Sequence, residues 1–252
     1  MSALFQLTLR QILGGTRLWF LVLFLSLPAL LVLLILRLGN LGGVERDLVL
    51  SVLLYVLYPQ TLVILATLLY GSGLLSAEIE GRTLVYLLTR PMPRWKILLI
   101  KYAATVLVLS ALCLASLTAS TALAGFPGGL RTWFALSVSV LMACVAYTAI
   151  FGLIGLIAPR RAVPVGLIYA GVLEIALSFV PAFVNQLSVS HYLRSLAYHL
   201  SGQTGLQQEV LAFLGDTGPW ASATALLVFP QLALVAAILL LELREFPLTE
   251  DL

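Results

Sequence analysis

Ser76-Ala-Glu-Ile-Glu-Gly-Arg-Thr-Leu-Val-Tyr-Leu-Leu-Thr-Arg-Pro-Met-Pro-Arg-Trp-Lys96 sets six charged side chains between two strongly apolar runs. A chain laid out this way meets water here and hydrocarbon on either side. Within the stretch, Ile79, Tyr86 and Leu87 fall along one line of a helix, and Leu84 and Leu88 along another. Glu78 and Arg82, four apart, can pair on the polar side. Pro91 carries no amide hydrogen and biases Arg90 away from the helical region, so the helix expected over 76–90 stops there. The spacing predicts a short amphipathic helix lying across a membrane face.

The flanking runs decide the class. Hydrophobic residues make up 61% of the 252 and charged residues 10%, against roughly 25% charged in an ordinary soluble domain. About 20 apolar residues cross the hydrocarbon core as a helix. The chain therefore has room for several spans joined by short connections, and none for a separate soluble domain of ordinary size. The runs predict spans over 18–36, 49–74, 97–124, 133–157, 163–184 and 220–241, a single membrane domain over 1–252. Arg10 and Arg17 precede the first run as they would in a signal peptide. The run is long enough to span, however, and Arg37-Leu-Gly-Asn-Leu-Gly-Gly43 offers no small-residue cleavage site, so it is expected to stay as the first span.

Basic residues orient the spans. With the N-terminus inside, ten of the fourteen Lys and Arg residues fall on the cytoplasmic side, and only Arg37, Arg46, Arg131 and Arg194 fall outside. That asymmetry predicts both termini in the cytoplasm. It also accounts for the formal charge of +3 without nucleic acid as a partner. Residues 1–15, with Phe5, Leu9, Ile12 and Leu13 at helical spacing before Gly14-Gly15, read as an interfacial helix. Gly125-Phe-Pro-Gly-Gly129 reads as a tight outer turn. The long outer connection is 185–219, and Val189 to Leu200 inside it has helical periodicity.

Taken together, Glu78-x-Glu80-Gly81-Arg82-Thr83-Leu84-x-x-Leu87-Leu88-x-Arg90-Pro91-x-x-Arg94 followed by Ile97-Leu-Leu-Ile-Lys101 resembles the signature of the type V ABC exporter family, the ABC-2-type permeases. The resemblance extends more weakly along nearly the whole chain. It implies an all-α polytopic fold of six transmembrane helices. An N-terminal elbow helix would precede them, a cytoplasmic coupling helix would follow the second span, and an extracytoplasmic re-entrant hairpin over 185–219 would precede the last. It further implies a permease subunit of an ATP-driven exporter in a prokaryotic plasma (inner) membrane, paired with a second permease copy, a homodimer, and with separate ATPase subunits. Glu78, Glu80, Arg82, Thr83 and Leu84 would dock on the ATPase; Arg90, Arg94 and Lys96 would anchor the helix at the headgroups. The resemblance leaves the substrate open. An ion-coupled carrier and a polytopic scaffold are the alternatives, and for an arbitrary membrane protein the charged segment would serve only to fix topology.

Catalytic chemistry finds little footing. No G-x-x-x-x-G-K-[ST] loop occurs, so ATP and magnesium belong on the partner and hydrolysis is not expected of this chain, which needs no cofactor of its own. His191 and His199 lie eight apart with no metal-ligand spacing and read as surface or interfacial histidines; no metal is expected. Cys113 and Cys144 each fall within a span and read as buried free thiols. Ser188, Ser190 and Ser195 lack a nucleophile elbow.

Two polar residues inside spans are candidate pathway residues. Glu174 falls near the middle of the fifth span, where an ionised carboxylate costs at least about 2.5 kcal/mol. It must face the bundle, carry a proton or find a partner. A pathway or dimer-interface role and a structural role, hydrogen-bonded to a Tyr, Ser or Thr of a neighbouring helix, both fit. Gln60 follows Tyr58-Pro59, which is expected to bend span two, and can bond across a helix interface or line a pathway. In the family the chain resembles, spans two and five line the dimer pathway.

Overall fold

Long apolar runs set the helices, and glycine and proline set where they stop. The computed structural model describes residues 2–38, 43–80, 93–176, 186, 188–202 and 217–243, and every regular element among them is helical. In chain order these are α1 (Ser2–Leu13), α2 (Thr16–Leu38), α3 (Gly43–Leu57), α4 (Val63–Gly71), α5 (Gly73–Glu80), α6 (Arg94–Ala124), α7 (Gly129–Ile157), α8 (Ala162–Tyr169), α9 (Val189–Ser201) and α10 (Pro219–Leu243). A π-helical turn at Tyr58–Leu62 carries α3 into α4, and a second at Ala170–Ala176 extends α8.

Five stretches are long and apolar enough to cross a membrane: Leu18–Leu38, Val49–Ser76, Arg94–Ala124, Gly129–Ile157 and Pro219–Leu243. They match five of the six expected spans with small shifts at the ends. The remaining one, expected over 163–184, is helical from Ala162 through Ala176, and the rest of it lies outside the described residues. The helix expected over 76–90 is described only to Glu80. Arg82, Thr83, Leu84 and Arg90 lie outside the described residues, as do the side chains of Glu78 and Glu80.

Polar side chains tie the helix ends together. Lys101 Nζ donates to the Leu74 carbonyl at 3.2 Å and Arg94 Nη1 to the Leu241 carbonyl at 3.2 Å. The start of α6 thus stands beside the ends of span two and of α10. At the opposite end, α6 stops at Gly125, whose φ of +77° is left-handed backbone open to glycine at no steric cost. Amides from Gly125 and Phe126 return to Ala122 and Thr121, closing the helix as such glycine caps do. The turn expected over Gly125–Gly129 is the one formed.

Of the five candidate spans α7 is the most enclosed. Lipid tails are as apolar as leucine, so burying hydrocarbon between helices gives little drive there; close packing does the work. Small residues allow it. A Cβ added to Gly155 would stand 2.3 Å from the Ser72 carbonyl oxygen, and one on Gly152 2.8 Å from Leu74 Cδ1. Here the backbones of α7 and span two approach more closely than any side chain permits.

Candidate functional site

Glu174 is 1% exposed, and the structure surrounds its carboxylate with donors. Tyr147 of α7 donates its hydroxyl to Oε2 at 2.9 Å, and Tyr169 of α8 donates to Oε1 at 3.0 Å. Ser188 Oγ donates to Oε2 at 2.9 Å. The backbone amides of Val189 and Ser190 donate to Oε1 at 3.2 Å and Oε2 at 2.9 Å. A carboxylate offers about four lone-pair sites, so five donors saturate it.

The local backbone explains how one side chain gathers so many partners. Residues three or four apart face one another on an α-helix, whereas Tyr169 and Glu174 are five apart. The wider π turn over Ala170–Ala176 brings the two to one side, as a single-turn π bulge does where an α-helix is re-aimed. Glu174 then reaches the first turn of α9. Ser188 stands at the N-cap of that helix yet makes no capping bond to it. Its hydroxyl serves Glu174 and contacts Ser190 Oγ at 2.6 Å, while Ser190 Oγ returns to the Glu174 carbonyl at 3.1 Å. The orphan amides at the start of α9 are therefore capped from another helix. A negative group there also complements the helix dipole.

The other end of α9 is held by the opposite charge. Arg131, at the start of α7, donates Nε to the Leu200 carbonyl at 3.0 Å. Gly202 follows at φ +63°, and a Cβ on it would stand 2.6 Å from the Arg131 guanidinium carbon. A cation by the last carbonyls complements the dipole as the carboxylate does by the first amides. Between the ends, Tyr55 donates to the Arg194 carbonyl at 2.5 Å and Ser195 Oγ donates to the Thr217 carbonyl. The result is an amphipathic helix bolted to α3, α7, the π turn after α8 and the chain entering α10. What this arrangement does chemically is fix position, since every carboxylate lone pair is committed.

The other expected residues are distributed as follows. Gln60 is half-buried on the π turn at Tyr58–Leu62, where Pro59 brings no amide to the helical ladder and the Val63 amide reaches back to Tyr58. Beside it Tyr58 stands between Ser116 and Ser120, each at 2.8 Å, and Ser116 donates to the Leu25 carbonyl at 2.5 Å. None of the five donors to Glu174 comes from this turn, so the two candidate pathway residues do not form one cluster. Arg94 braces α10 as described, and Lys96 lies 5.3 Å from the centroid of the Trp95 ring. Cys113 and Cys144 are buried free thiols, as expected. The reading of His191 as a surface residue is corrected: it is buried, edge-on to Tyr192 at 5.3 Å, because it belongs to the face of α9 that packs on α7 and α10. His199 is half-buried. Among the described residues no three metal-ligating side chains converge.

Sequence reading did not single out Tyr147 and Tyr169 at this site, and it named Ser188 and Arg131 only in other connections. The only signal for them was the demand of a mid-span carboxylate for Tyr or Ser partners, which names residue types but not positions. No protein-family model matches the chain, and no curated protein matches it either.

Proposed function

We propose that this chain is the membrane-spanning permease subunit of an ATP-driven ABC exporter, with its termini in the cytoplasm of a prokaryotic inner membrane and hydrolysis carried out by separate ATPase subunits. The observation that carries the reading is the charged 76–96 segment with its ordered Glu78, Glu80, Arg82 and Arg90-Pro91 spacing, set between two candidate spans. The bracing around it supports the role. Lys101 and Arg94 cross-link the ends of span two, α6 and α10, and the Gly155–Ser72 approach seats α7 directly on span two. An element that passes an ATPase displacement into the bundle needs that stiff footing. A second permease copy completes the pathway at a dimer seam, and the basic-residue asymmetry supports an outer position for 185–219, with α9.

An ion-coupled carrier working through Glu174 fits less well, because five donors leave its carboxylate no free site for a cargo cation. The test is assembly. Expressed with its ATPase, a Glu78→Lys, Glu80→Lys variant is expected to stay in the membrane and lose the ATPase on affinity purification. Undiminished recovery of the ATPase would remove the docking assignment.

A further inference from the structure

At the end of the bundle braced by Arg94 and Lys101, a half-open cavity of about 440 Å³ lies between α2, the end of span two and the turn leading into α8. That size falls within the range of small-ligand sites. Phe20, Leu69 and Val163 give it apolar walls, and Ser72, Ser76 and Arg160 give it polar ones. Its depth is marked by tryptophan. Trp19, adjacent to Phe20, is 77% exposed, and Trp95 at the start of α6 is exposed as well. Such residues settle at the headgroup level of a bilayer. The cavity therefore opens where acyl chains end and headgroups begin.

Its polar atoms specify the headgroup. Ser72 Oγ donates to the Leu68 carbonyl at 2.5 Å and Ser76 Oγ to the Ser72 carbonyl at 2.6 Å. A hydroxyl has a single hydrogen, so both serines have spent theirs on their own helix and, as lining residues, can serve a ligand only as acceptors. Arg160 is exposed at the cavity and Arg161 follows it. A guanidinium fork matches a phosphate, which it can hold through paired N–H bonds. One cation, two hydroxyl acceptors and apolar walls together fit a phosphodiester that carries hydroxyl donors on one side and acyl chains on the other. We infer that this cavity is a binding site for an anionic glycerophospholipid with a hydroxylated headgroup, of the phosphatidylglycerol class. A choline headgroup meets it poorly, since its ammonium has no hydrogen to donate to the serines and brings positive charge beside Arg160.

This inference stands apart from the exporter reading, because it needs only the cavity and a bilayer. The purified full chain in neutral detergent is titrated with dioleoylphosphatidylglycerol, dioleoylphosphatidylcholine or glycerol 3-phosphate while its melting temperature is followed. Retained lipid is counted by native mass spectrometry. Saturable stabilisation and one retained lipid are expected with phosphatidylglycerol, and neither with the other two. Arg160→Glu is expected to weaken that binding about tenfold, the size of one lost charge-assisted contact. Val163→Trp, which fills the cavity, is expected to abolish retention, while Leu130→Trp at the far end of the bundle leaves it unchanged. Arg160 is exposed, so its variant decides the matter even if Val163→Trp fails to fold. Equal binding of phosphatidylcholine, an equal response to glycerol 3-phosphate, or unaltered retention by Arg160→Glu overturns the assignment.

Discussion

A single carboxylate buried among apolar helices is unfavourable unless the fold supplies donors, and the group at Glu174 receives them from three directions. Two of the five are backbone amides at the start of α9, which no other acceptor in the first turn satisfies. Removing the carboxylate therefore strands buried N–H groups as well as hydroxyls, and each stranded group costs about 1–3 kcal/mol. Glu174→Gln keeps one oxygen but turns an amide NH₂ toward a wall of donors, so a loss of about 1–3 kcal/mol is expected from it. Glu174→Leu removes both oxygens and should lose more, while Tyr147→Phe, which deletes one donor, should lose only about 0.5–1.5 kcal/mol. Thermal melts of the purified variants give the order. A Leu variant as stable as the parent would show that α9 does not depend on this cap. Slowed exchange is expected for the Val189 and Ser190 amides in the parent, with exchange restored in the Leu variant.

The helices were legible in the sequence because long apolar runs have one reading in a membrane, and α9 because its periodicity was intact over Val189–Leu200. What joins the helices was not legible. The π turns at Tyr58–Leu62 and Ala170–Ala176 follow from a proline without an amide and from a carboxylate re-aimed by one extra residue per turn, and only the first leaves a mark in the sequence. His191 reads as polar, yet α9 buries the face that bears it. The contact between α7 and span two shows the same dependence on tertiary context: a glycine at 155 is unremarked until Ser72 stands against it. A Cβ there would meet a backbone oxygen at 2.3 Å, which cannot rotate away, so the helices themselves must part. Gly155→Ala is expected to destabilise by about 1–3 kcal/mol, the usual range for overpacking, and Gly155→Val by more. Gly171, whose added Cβ meets nothing within 4 Å, provides the control: its Ala variant should match the parent closely. Equal melting temperatures for Gly155→Ala and Gly171→Ala would mean that α7 and span two are not held in this register.

At the scale of the whole molecule, the two ends of the bundle differ in charge, and this difference carries the orientation. Arg94, Lys96, Lys101, Arg160 and Arg161 gather at one end, where Lys101 and Arg94 bond to the Leu74 and Leu241 carbonyls, while Arg37, Arg46, Arg131 and Arg194 are the basic residues toward the other. Positive residues are retained on the cytoplasmic side, so the first end is expected inside and α9 outside. Ser195 would be a natural probe position from its place in the long loop, but it is buried and bonded to Thr217, so a cysteine there would report packing rather than sidedness. Leu130, 69% exposed beside the turn, and Arg161, exposed at the opposite end, serve instead. The native thiols of Cys113 and Cys144 are fully buried and give a quiet background. In intact cells Leu130→Cys should react with a membrane-impermeant maleimide, and Arg161→Cys should react only after permeabilisation. The reverse pattern would turn the bundle over, put the 76–96 segment outside, and leave it out of reach of any cytoplasmic ATPase; the exporter reading would then fall while the α9 clamp and the phospholipid cavity remained.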